Sequence, residues 1–416
     1  MSKVVSVVGA TLTGNSGAEA MLSAVAFGVR SLDQSGTIHV HSYYPREDRA
    51  VKTASSVLIH SARPFDLVLK VIPQAVLYRY ARFFWRRLPS SPTKRAVSAI
   101  ADSELLACVA GVSFVDGRRP FLAYNVVTLL PAIILRVPVI KFSQAMGPFR
   151  DPVTRVVARA MLGRVYAVVP RGGMTEAWVR GLALSGPSLQ PAADLAFALE
   201  TGISLVGKSD DLWKAFTAWK ARGSAALVAI SPSAVLAGKR PEASRHREEM
   251  LSVIRHLLSS GYRVVVIPTA TRPGCMSTHN NDLPLLRSIR RGARWPEERI
   301  FWAESTASFA DVTAVVSECD AIVASRFHAM IAGLSAGVPT LVIGWGHKYR
   351  EVLATFDSEK YSLSGEVAEK RERTADLLAI LDEFLSARTQ IAATINERLA
   401  DVVASSRGQF ELLNVE

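Results

Sequence analysis

The chain has 416 residues, of which 49% are hydrophobic and 21% are charged. This length suggests two domains, and the composition excludes a disordered or fibrous chain. The three cysteines, Cys108, Cys275 and Cys319, are too widely spaced for a disulfide framework or a zinc pattern, which favours a reducing compartment. A formal net charge of +12 favours anionic partners.

Strand-length apolar runs alternate with helix-length amphipathic segments through the first half. The strand candidates lie at residues 3–9, 38–44, 56–61, 105–111, 138–144 and 165–171. Continuous β-branched runs between helices are typical of a parallel sheet covered on both faces. The longest apolar run, residues 126–140, is broken by Pro131, Arg136 and Pro138 and is too short for a membrane span. We therefore expect a soluble, cytoplasmic protein.

The stretch from Lys70 to Arg95 is basic and aromatic. Its cations and aromatic residues interleave, with no acidic residue between Leu67 and Ala101: Lys70, Arg79, Arg82, Arg86, Arg87, Lys94 and Arg95 stand among Tyr78, Tyr80, Phe83, Phe84 and Trp85. One interpretation is a peripheral contact with the inner membrane face. The alternative is a basic helix that packs on its own domain, with its arginines in water.

The second half repeats the alternating pattern. Strand candidates lie at residues 226–233, 262–269, 299–305, 319–325 and 339–345, and residues 375–406 form a helical tail. A polar segment at residues 201–225 separates the halves, so we place a domain boundary near residue 204 and predict domains 1–204 and 205–416. The predicted fold class is α/β, with two Rossmann-like, doubly wound parallel-sheet domains facing a cleft. In such sheets ligands bind beyond the carboxyl ends of the strands.

The turn after the first strand contains Gly14, Asn15 and Gly17, with Glu19 in the helix that follows. Free N–H groups at such a helix start suit an anion or a sugar hydroxyl. The glycine spacing matches neither a dinucleotide fingerprint nor a P-loop. A plain strand-to-helix turn is an equal alternative, in which Glu19 only complements the helix dipole.

Two further strand ends in the first half carry candidate residues. Gln144 lies where the chain leaves the sheet and is one candidate. The alternative is a plain turn shaped by Gly147 and Pro148. Arg171 ends a strand ahead of two glycines and a helix, where a guanidinium can grip a carboxylate or phosphate with parallel N–H groups. The alternative for Arg171 is a surface side chain paired with Glu176.

The segment SRFHAMIAGLSAGVP places Arg326 and His328 directly after a buried strand. A helix N-terminus attracts an anion, Arg326 adds a full charge, and His328 can exchange a proton near neutral pH. Small residues behind the pair let the helix lie close to the sheet. A structural histidine is the alternative. At the next strand end Lys348 can complete an anion pocket.

The long polar loop at residues 268–283 is a candidate binding loop and contains Asn281. Cys275 and His279 also lie in this loop, but no further ligands are spaced to complete a metal site with them. We therefore predict no metal.

These motifs together resemble the polysaccharide pyruvyl transferase family. The resemblance covers most of the chain in order, through GNSGAEAM, AGVSFVDG, FSQAMGPF, Arg171, ADLAF, VAISPS and, most specifically, SRFHAMIAGLSAGVPTLVIGWGHKYREV. It implies a two-domain GT-B-like fold. It also implies transfer of the pyruvyl group of phosphoenolpyruvate onto two sugar hydroxyls as a cyclic ketal, with release of phosphate and without a cofactor.

The resemblance assigns roles to single residues of this sequence. The family's Arg-x-His pair falls on Arg326 and His328, and its donor-binding arginine on Arg171. The chain departs from the family pattern at Ala18, Ala110 and Leu195, in the domain where the acceptor should bind, so the acceptor sugar stays undetermined.

Two other functions stay open at this point. One is a GT-B glycosyltransferase that uses a sugar nucleotide. The other is a non-enzymatic, membrane-associated assembly protein that acts through the stretch from Lys70 to Arg95. For the enzyme, the expected partners are phosphoenolpyruvate and a glycan or lipid-linked sugar acceptor. We expect no nucleic acid, and leave open whether the chain forms homo-oligomers.

Overall fold

All strands predicted from the sequence are present in the structure, a computed structural model that describes residues 2–51, 53, 55–237, 242–272, 280–305, 307–344, 347–364 and 370–415. The chain forms two units. Unit 1 comprises Met1–Thr13, Ala18–Leu199 and Val403–Glu416, and unit 2 comprises Gly14–Gly17 and Glu200–Val402. Each unit is built around its own parallel sheet.

The sheet of unit 1 has the strand order β3-β2-β1-β4-β6-β7-β8, with β5 paired to β6. Its strands are β1 Val4–Val8, β2 Thr37–Ser42, β3 Val57–Ser61, β4 Leu105–Cys108, β5 Val112–Val115, β6 Val139–Gly147, β7 Ala167–Pro170 and β8 Ser188–Leu189. All of their pairings are parallel. β4 and β6 are buried throughout, as their continuous apolar sequences predict.

The helices between these strands are α1 Ser16–Leu32, α2 Pro45–Ala50, α3 Pro64–Asp66, α4 Ile72–Tyr80, α5 Arg82–Arg87, α6 Pro92–Ala101, α7 Arg119–Leu135, α8 Pro152–Leu162 and α9 Gly173–Arg180. A π-helical turn, Leu67–Val71, joins α3 to α4, and a 3-10 turn follows at Leu195–Ala198. Ser91 and Asp151 cap α6 and α8 by accepting backbone N–H groups of the first turn.

The sheet of unit 2 has the order β11-β10-β9-β12-β13-β14, again all parallel. Its strands are β9 Leu227–Ser231, β10 Arg263–Val266, β11 Ile300–Trp302, β12 Ala321–Ala324, β13 Thr340–Gly344 and β14 Ser362–Ser364. Numbered from β9, this is the doubly wound order 3-2-1-4-5-6. The order reverses between β9 and β12, the place where such sheets bind ligands.

The helices after β8 are α10 Asp210–Lys220, α11 Ala234–Ala237, α12 Glu242–Ser259, α13 Leu283–Arg290, α14 Phe309–Val316, α15 Phe327–Ser335, α16 His347–Ala354, α17 Lys370–Ser386 and α18 Arg388–Gly408, with 3-10 turns at Glu359–Tyr361 and Gln409–Leu413. None of the helices among the described residues has the length and hydropathy needed to cross a bilayer.

The helix α15 lies close to the sheet, as its small residues predict. A Cβ atom on residue 333 would overlap the side chains of Thr340 and Ile322, which belong to the two strands beneath. Only glycine therefore fits at Gly333. This close packing holds the last turn of α15 against the first residues of β12 and β13.

The units differ in three ways from the predicted division at residue 204. The main part of the first unit ends at Leu199, and its final part is the C-terminal segment Val403–Glu416, which was predicted to belong to the second domain. Gly14–Gly17, which were predicted to belong to the first domain, are part of unit 2. Hydrogen bonds of Gln409 attach this C-terminal segment to unit 1. Its side-chain amide accepts a hydrogen bond from the Ser143 N–H at 3.2 Å and donates to the Ala193 carbonyl at 2.9 Å.

Candidate functional site

The predicted Arg326 and His328 lie where the strand order of unit 2 reverses. Ala324 at the end of β12 pairs with Ser231 at the end of β9, and α15 begins three residues later at Phe327. Arg326 is the residue that precedes α15, with extended φ and ψ of −111° and 139°. His328 lies on the first turn, so both residues sit at the helix end that attracts anions.

The guanidinium of Arg326 is held in place by the loop before α13. Its Nε lies 3.1 Å from both carboxylate oxygens of Asp282, and its Nη2 donates to Oδ1 of the same residue at 2.5 Å. Its Nη1 donates to Asn280 Oδ1 at 3.0 Å. An arginine has five N–H groups, so two of them, one on each terminal nitrogen, have no partner among the described residues.

Asp282 is itself fixed from two sides. It is fully buried, and its carboxylate oxygens accept the backbone N–H groups of Ala234 at 2.8 Å and Ala270 at 2.9 Å. The carboxylate therefore orients Arg326 and balances its charge in a buried setting. The sequence analysis did not assign Asp282 this role. The only signal was its place in the loop that also contains Asn281.

Asn281 fastens the same loop and lies close to Arg272. It is buried, its side-chain oxygen accepts the Arg272 N–H at 3.2 Å, and its amide donates to the Arg272 carbonyl at 3.4 Å. In this structure Asn281 shapes the loop that presents Asn280 and Asp282 to Arg326.

The N-terminal turn contributes to the same place, because Gly14–Gly17 belong to unit 2. The Ser16 N–H and hydroxyl both donate to the Thr269 carbonyl at 2.9 Å. Asn15 precedes α1, and its side-chain oxygen accepts the Gly17 N–H at 3.0 Å. A Cβ atom on residue 14 would lie 3.4 Å from Nε of Arg272.

Gly17 lies directly against the imidazole of His328. A Cβ atom on residue 17 would overlap Nδ1 and Cγ of the ring, so no other residue fits there without moving the ring. The edge of the Phe327 ring packs on His328, with centroids 5.2 Å apart. The predicted turn and the predicted histidine are thus in contact.

Lys348 also lies near this helix end, on the first turn of α16. Its Nζ is 5.1 Å from the centroid of the Phe327 ring, within cation–π distance. Phe327 therefore contacts both His328 and Lys348. The predicted residues Arg326, His328 and Lys348 thus lie at one helix end.

Ser231 and Ser325 were not assigned a role from the sequence. They end the adjacent strands β9 and β12, and the Ser325 N–H donates to the Ser231 carbonyl at 2.8 Å. Both are fully buried, and neither hydroxyl has a hydrogen-bond partner among the described residues. Such a hydroxyl costs roughly 1–3 kcal/mol.

Arg171 belongs to unit 1 and is not the surface residue considered above. It is 3% exposed, and its Nη1 donates to Asp194 Oδ2 at 2.5 Å while its Nη2 donates to the Gly111 carbonyl at 3.0 Å. Glu176 instead pairs with Arg180. The physical reason is burial, because a guanidinium inside the fold needs a buried carboxylate, and Asp194 in the ADLAF segment provides it.

Gln144 and Glu19 also lie in unit 1 and are buried. Gln144 accepts the Ser113 hydroxyl at 2.7 Å and donates to the Cys108 carbonyl at 2.5 Å. Glu19 accepts the Ser23 hydroxyl at 2.5 Å. The predicted site residues are therefore divided. Unit 1 holds Glu19, Gln144 and Arg171, and unit 2 holds Gly14, Asn15, Gly17, Asn281, Arg326, His328 and Lys348.

Cys275 and His279, which were considered for a metal, lie outside the described residues, and so does the side chain of His347. Among the residues that the structure does describe, no group of three or more His, Cys, Asp or Glu side chains is placed to hold a metal ion.

Comparison with known families gives a match over most of the chain. The model of the family described as polysaccharide pyruvyl transferase matches residues 15–347. This range includes every predicted site residue except Gly14 and Lys348. Among curated proteins, none matches the sequence closely enough to count as a relative.

Solved structures with similar folds include three sugar-nucleotide proteins. A putative UDP-N-acetylglucosamine 2-epimerase from Listeria monocytogenes has a TM-score of 0.60 and 11% identity, over 99% of this chain and 95% of that one. Anabaena HepE in complex with UDP has a TM-score of 0.54 and 11% identity, over 99% of both chains. A UDP-forming α,α-trehalose-phosphate synthase from Burkholderia vietnamiensis has a TM-score of 0.52 and 13% identity, over 99% of this chain and 97% of that one. At this identity the likeness shows the fold alone, which is GT-B-like.

Proposed function

The chain belongs to the polysaccharide pyruvyl transferase family, and on that premise we propose that it moves the pyruvyl group of phosphoenolpyruvate onto two hydroxyls of a sugar. The acceptor in this proposal is a precursor of a cell-surface polysaccharide or glycolipid, and the reaction takes place in the cytoplasm. The observation that carries the proposal is the position of Arg326, held at the start of α15 with two N–H groups that have no partner among the described residues.

Phosphoenolpyruvate carries a carboxylate and a phosphate on a three-carbon frame, so its site needs several converging donors. In unit 2 the donors that we propose are the two remaining N–H groups of Arg326 and the first backbone N–H groups of α15. The ammonium of Lys348 adds to them.

His328 is the proposed acid. Protonation of C3 of phosphoenolpyruvate makes C2 electrophilic, and one sugar hydroxyl then adds to C2. The second hydroxyl closes the ring at C2 as the C2–O bond to phosphate breaks. The two hydroxyl protons replace the one given to C3 and the one taken up by the leaving phosphate, so the reaction is balanced. His328 acts either on C3 or on the departing phosphate oxygen.

We revise the role of Arg171. Like Arg326, it is paired with a buried carboxylate, but its side chain is 3% exposed against 13% for Arg326, and its contacts with Asp194 and Gly111 favour a structural role. Glu19 and Gln144 are likewise engaged within unit 1. The donor site that we propose is therefore carried by unit 2.

The proposal is tested by incubating purified protein with phosphoenolpyruvate and candidate glycan lipids while phosphate release is followed. We expect acceptor-dependent release, protection of the fold against heat by phosphoenolpyruvate, and loss of turnover without loss of fold in His328→Ala. His256→Ala, which removes a histidine paired with Asp382 elsewhere in unit 2, is the control. Absence of both release and protection contradicts the proposal, and near-normal turnover of His328→Ala refutes the role of that residue.

A sugar-nucleotide glycosyltransferase is the second candidate, because the similar fold of Anabaena HepE was solved with UDP. The same preparation distinguishes the two functions. Heat protection by UDP but not by phosphoenolpyruvate, with transfer from a UDP-sugar, identifies this second function and rejects the first.

A further inference from the structure

Residues 64–87 of unit 1 form α3, the π-helical turn, α4 and α5. The inner side of this segment packs in a hydrophobic cluster. Leu67, Val71 and Trp85 are buried in one cluster with Ala62 and Val97. This core satisfies the hydrophobic requirement of the segment, so any apolar residues on its outer side need another explanation.

The outer side of this segment is nonetheless apolar and aromatic. Its exposed large side chains are Phe65 at 68%, Val68 at 46%, Leu69 at 56%, Val76 at 42%, Tyr80 at 76%, Phe83 at 60% and Phe84 at 63%. These exposed residues together with Lys70, Arg79, Arg82, Arg86 and Arg87 are called the basic aromatic face below. Exposed apolar groups concentrated in this way mark a contact surface rather than ordinary solvent exposure.

The cations of the basic aromatic face are paired with rings more than with carboxylates. Arg87 lies over Phe83 at 4.0 Å and Arg82 over Tyr78 at 4.8 Å. Lys70 pairs with Asp66. The four arginines form no salt bridge among the described residues, and the sequence has no acidic residue between Leu67 and Ala101. Their charge is available for phosphate groups.

We propose that the basic aromatic face binds the anionic phospholipid surface of a bilayer. The helices lie parallel to the membrane plane, with the rings at the boundary of headgroups and acyl chains and the arginines on lipid phosphates. A second copy of this chain is a poorer occupant. A two-fold self-contact brings the arginines of two copies together, and the one acidic residue of the segment, Asp66, is already paired with Lys70. This inference does not depend on the proposed chemistry.

Vesicle binding tests the proposal with the full chain. Co-sedimentation is measured with phosphatidylglycerol-containing vesicles and with pure phosphatidylcholine vesicles, at low and high salt. We expect binding to the anionic vesicles that weakens as salt rises, and at least about tenfold weaker binding to phosphatidylcholine. No binding to anionic vesicles, or equal binding to both, overturns the proposal.

Paired variants locate the contact. Arg82→Glu/Arg86→Glu and Phe83→Ser/Phe84→Ser should each weaken binding roughly 10- to 100-fold while the unfolding temperature stays unchanged. The controls are Arg222→Glu/Arg294→Glu, which changes net charge equally at exposed arginines of unit 2, and Val153→Ser/Val156→Ser on the exposed side of α8. Controls that weaken binding as much as the test variants overturn the proposal.

Light scattering measures the oligomeric state of the same proteins. We expect the wild type and Phe83→Ser/Phe84→Ser to have the same mass in solution. A dimer that this variant converts to a monomer identifies the face as a self-interface and also overturns the proposal.

Discussion

Arg326 carries a positive charge that is almost entirely enclosed by its own fold. Its side chain is 13% exposed and that of Asp282 is fully buried, and the two are joined by several hydrogen bonds. A buried pair of this kind adds little to stability compared with apolar packing, but the loss of one partner leaves the other charge uncompensated. The pair is therefore better explained as a means of orienting a guanidinium than as a source of stability.

Asp282→Ala should lower the free energy of unfolding by about 3 kcal/mol or more, because it leaves Arg326 and two backbone N–H groups without their acceptor. Urea unfolding measures this. The matched control is Asp357→Ala, which breaks the exposed pair with Arg398 and should cost less than about 1 kcal/mol. Equal losses in the two variants would show that the Asp282 carboxylate is not a structural anchor.

Gly17 has a consequence for His328 at the same scale. Gly17→Ala places a methyl group where the imidazole now lies, so the ring must turn away. We expect turnover to fall roughly 100-fold, since misplacing a reacting group by about 1 Å has that effect. The His328 ring signals should also shift in NMR spectra. Gly173→Ala, at the first residue of α9 with open space around it, should change neither. Unchanged His328 signals in Gly17→Ala contradict the predicted contact.

Strands β2 and β3 bring three histidines together on one side of the sheet. His39 Nδ1 and His60 Nε2 are 3.0 Å apart, and the rings of His41 and His60 stack with centroids 5.1 Å apart. Burial lowers the pKa of all three. The pKa of His60 falls to about 4, helped by His39, Arg49 and Arg95, and the pKa of fully buried His41 lies well below its usual value. The negative charge of Asp102 raises the pKa of His39 and so offsets part of the lowering by burial.

These pKa shifts make the sheet of unit 1 sensitive to acid. The unfolded histidines bind protons near pH 6.5, whereas the folded cluster does so only at lower pH, down to about 4 for His60. The cluster's contribution to stability is therefore complete above about pH 6.5 and is lost as the pH falls toward 4. His60 also lines a cavity of about 700 Å³ with Arg49 and Arg95, which gives protons access to its ring.

His60→Gln should reduce the difference in unfolding free energy between about pH 7 and about pH 4.5 by roughly 1–3 kcal/mol. Urea titrations at the two pH values provide the measurement. If His60→Gln leaves the acid sensitivity of the protein intact, its origin lies elsewhere than in the cluster.

At the scale of the whole molecule, hydrophobic periodicity was sufficient to predict both sheets. Every predicted strand is present, because long β-branched runs have few other stable conformations. The strands that were missed are β5, β8 and β14, with two to four residues each. The alternation of these strands with helices predicts the parallel pairing of unit 2, and the structure adds the strand order.

The candidate site was predictable in position but not in its partners. Arg326 and His328 could be placed after a strand because the local sequence determines that position. The partner of Arg326 is 44 residues away in a loop without periodicity, and the partner of Arg171 is 23 residues away. No local pattern encodes such pairings. Burial of a cation was the missing information, since only a buried guanidinium requires a buried carboxylate.

The return of Val403–Glu416 to unit 1 determines the order in which the protein can be completed on the ribosome. The sheet of unit 1 is synthesised first, but Gln409, which bonds to Ser143 in β6, is synthesised only after unit 2. Domains usually fold as they are made, with the N-terminal one first. Here the nascent unit 1 must wait, with the Ser143 N–H still unpaired, until unit 2 has been translated in full.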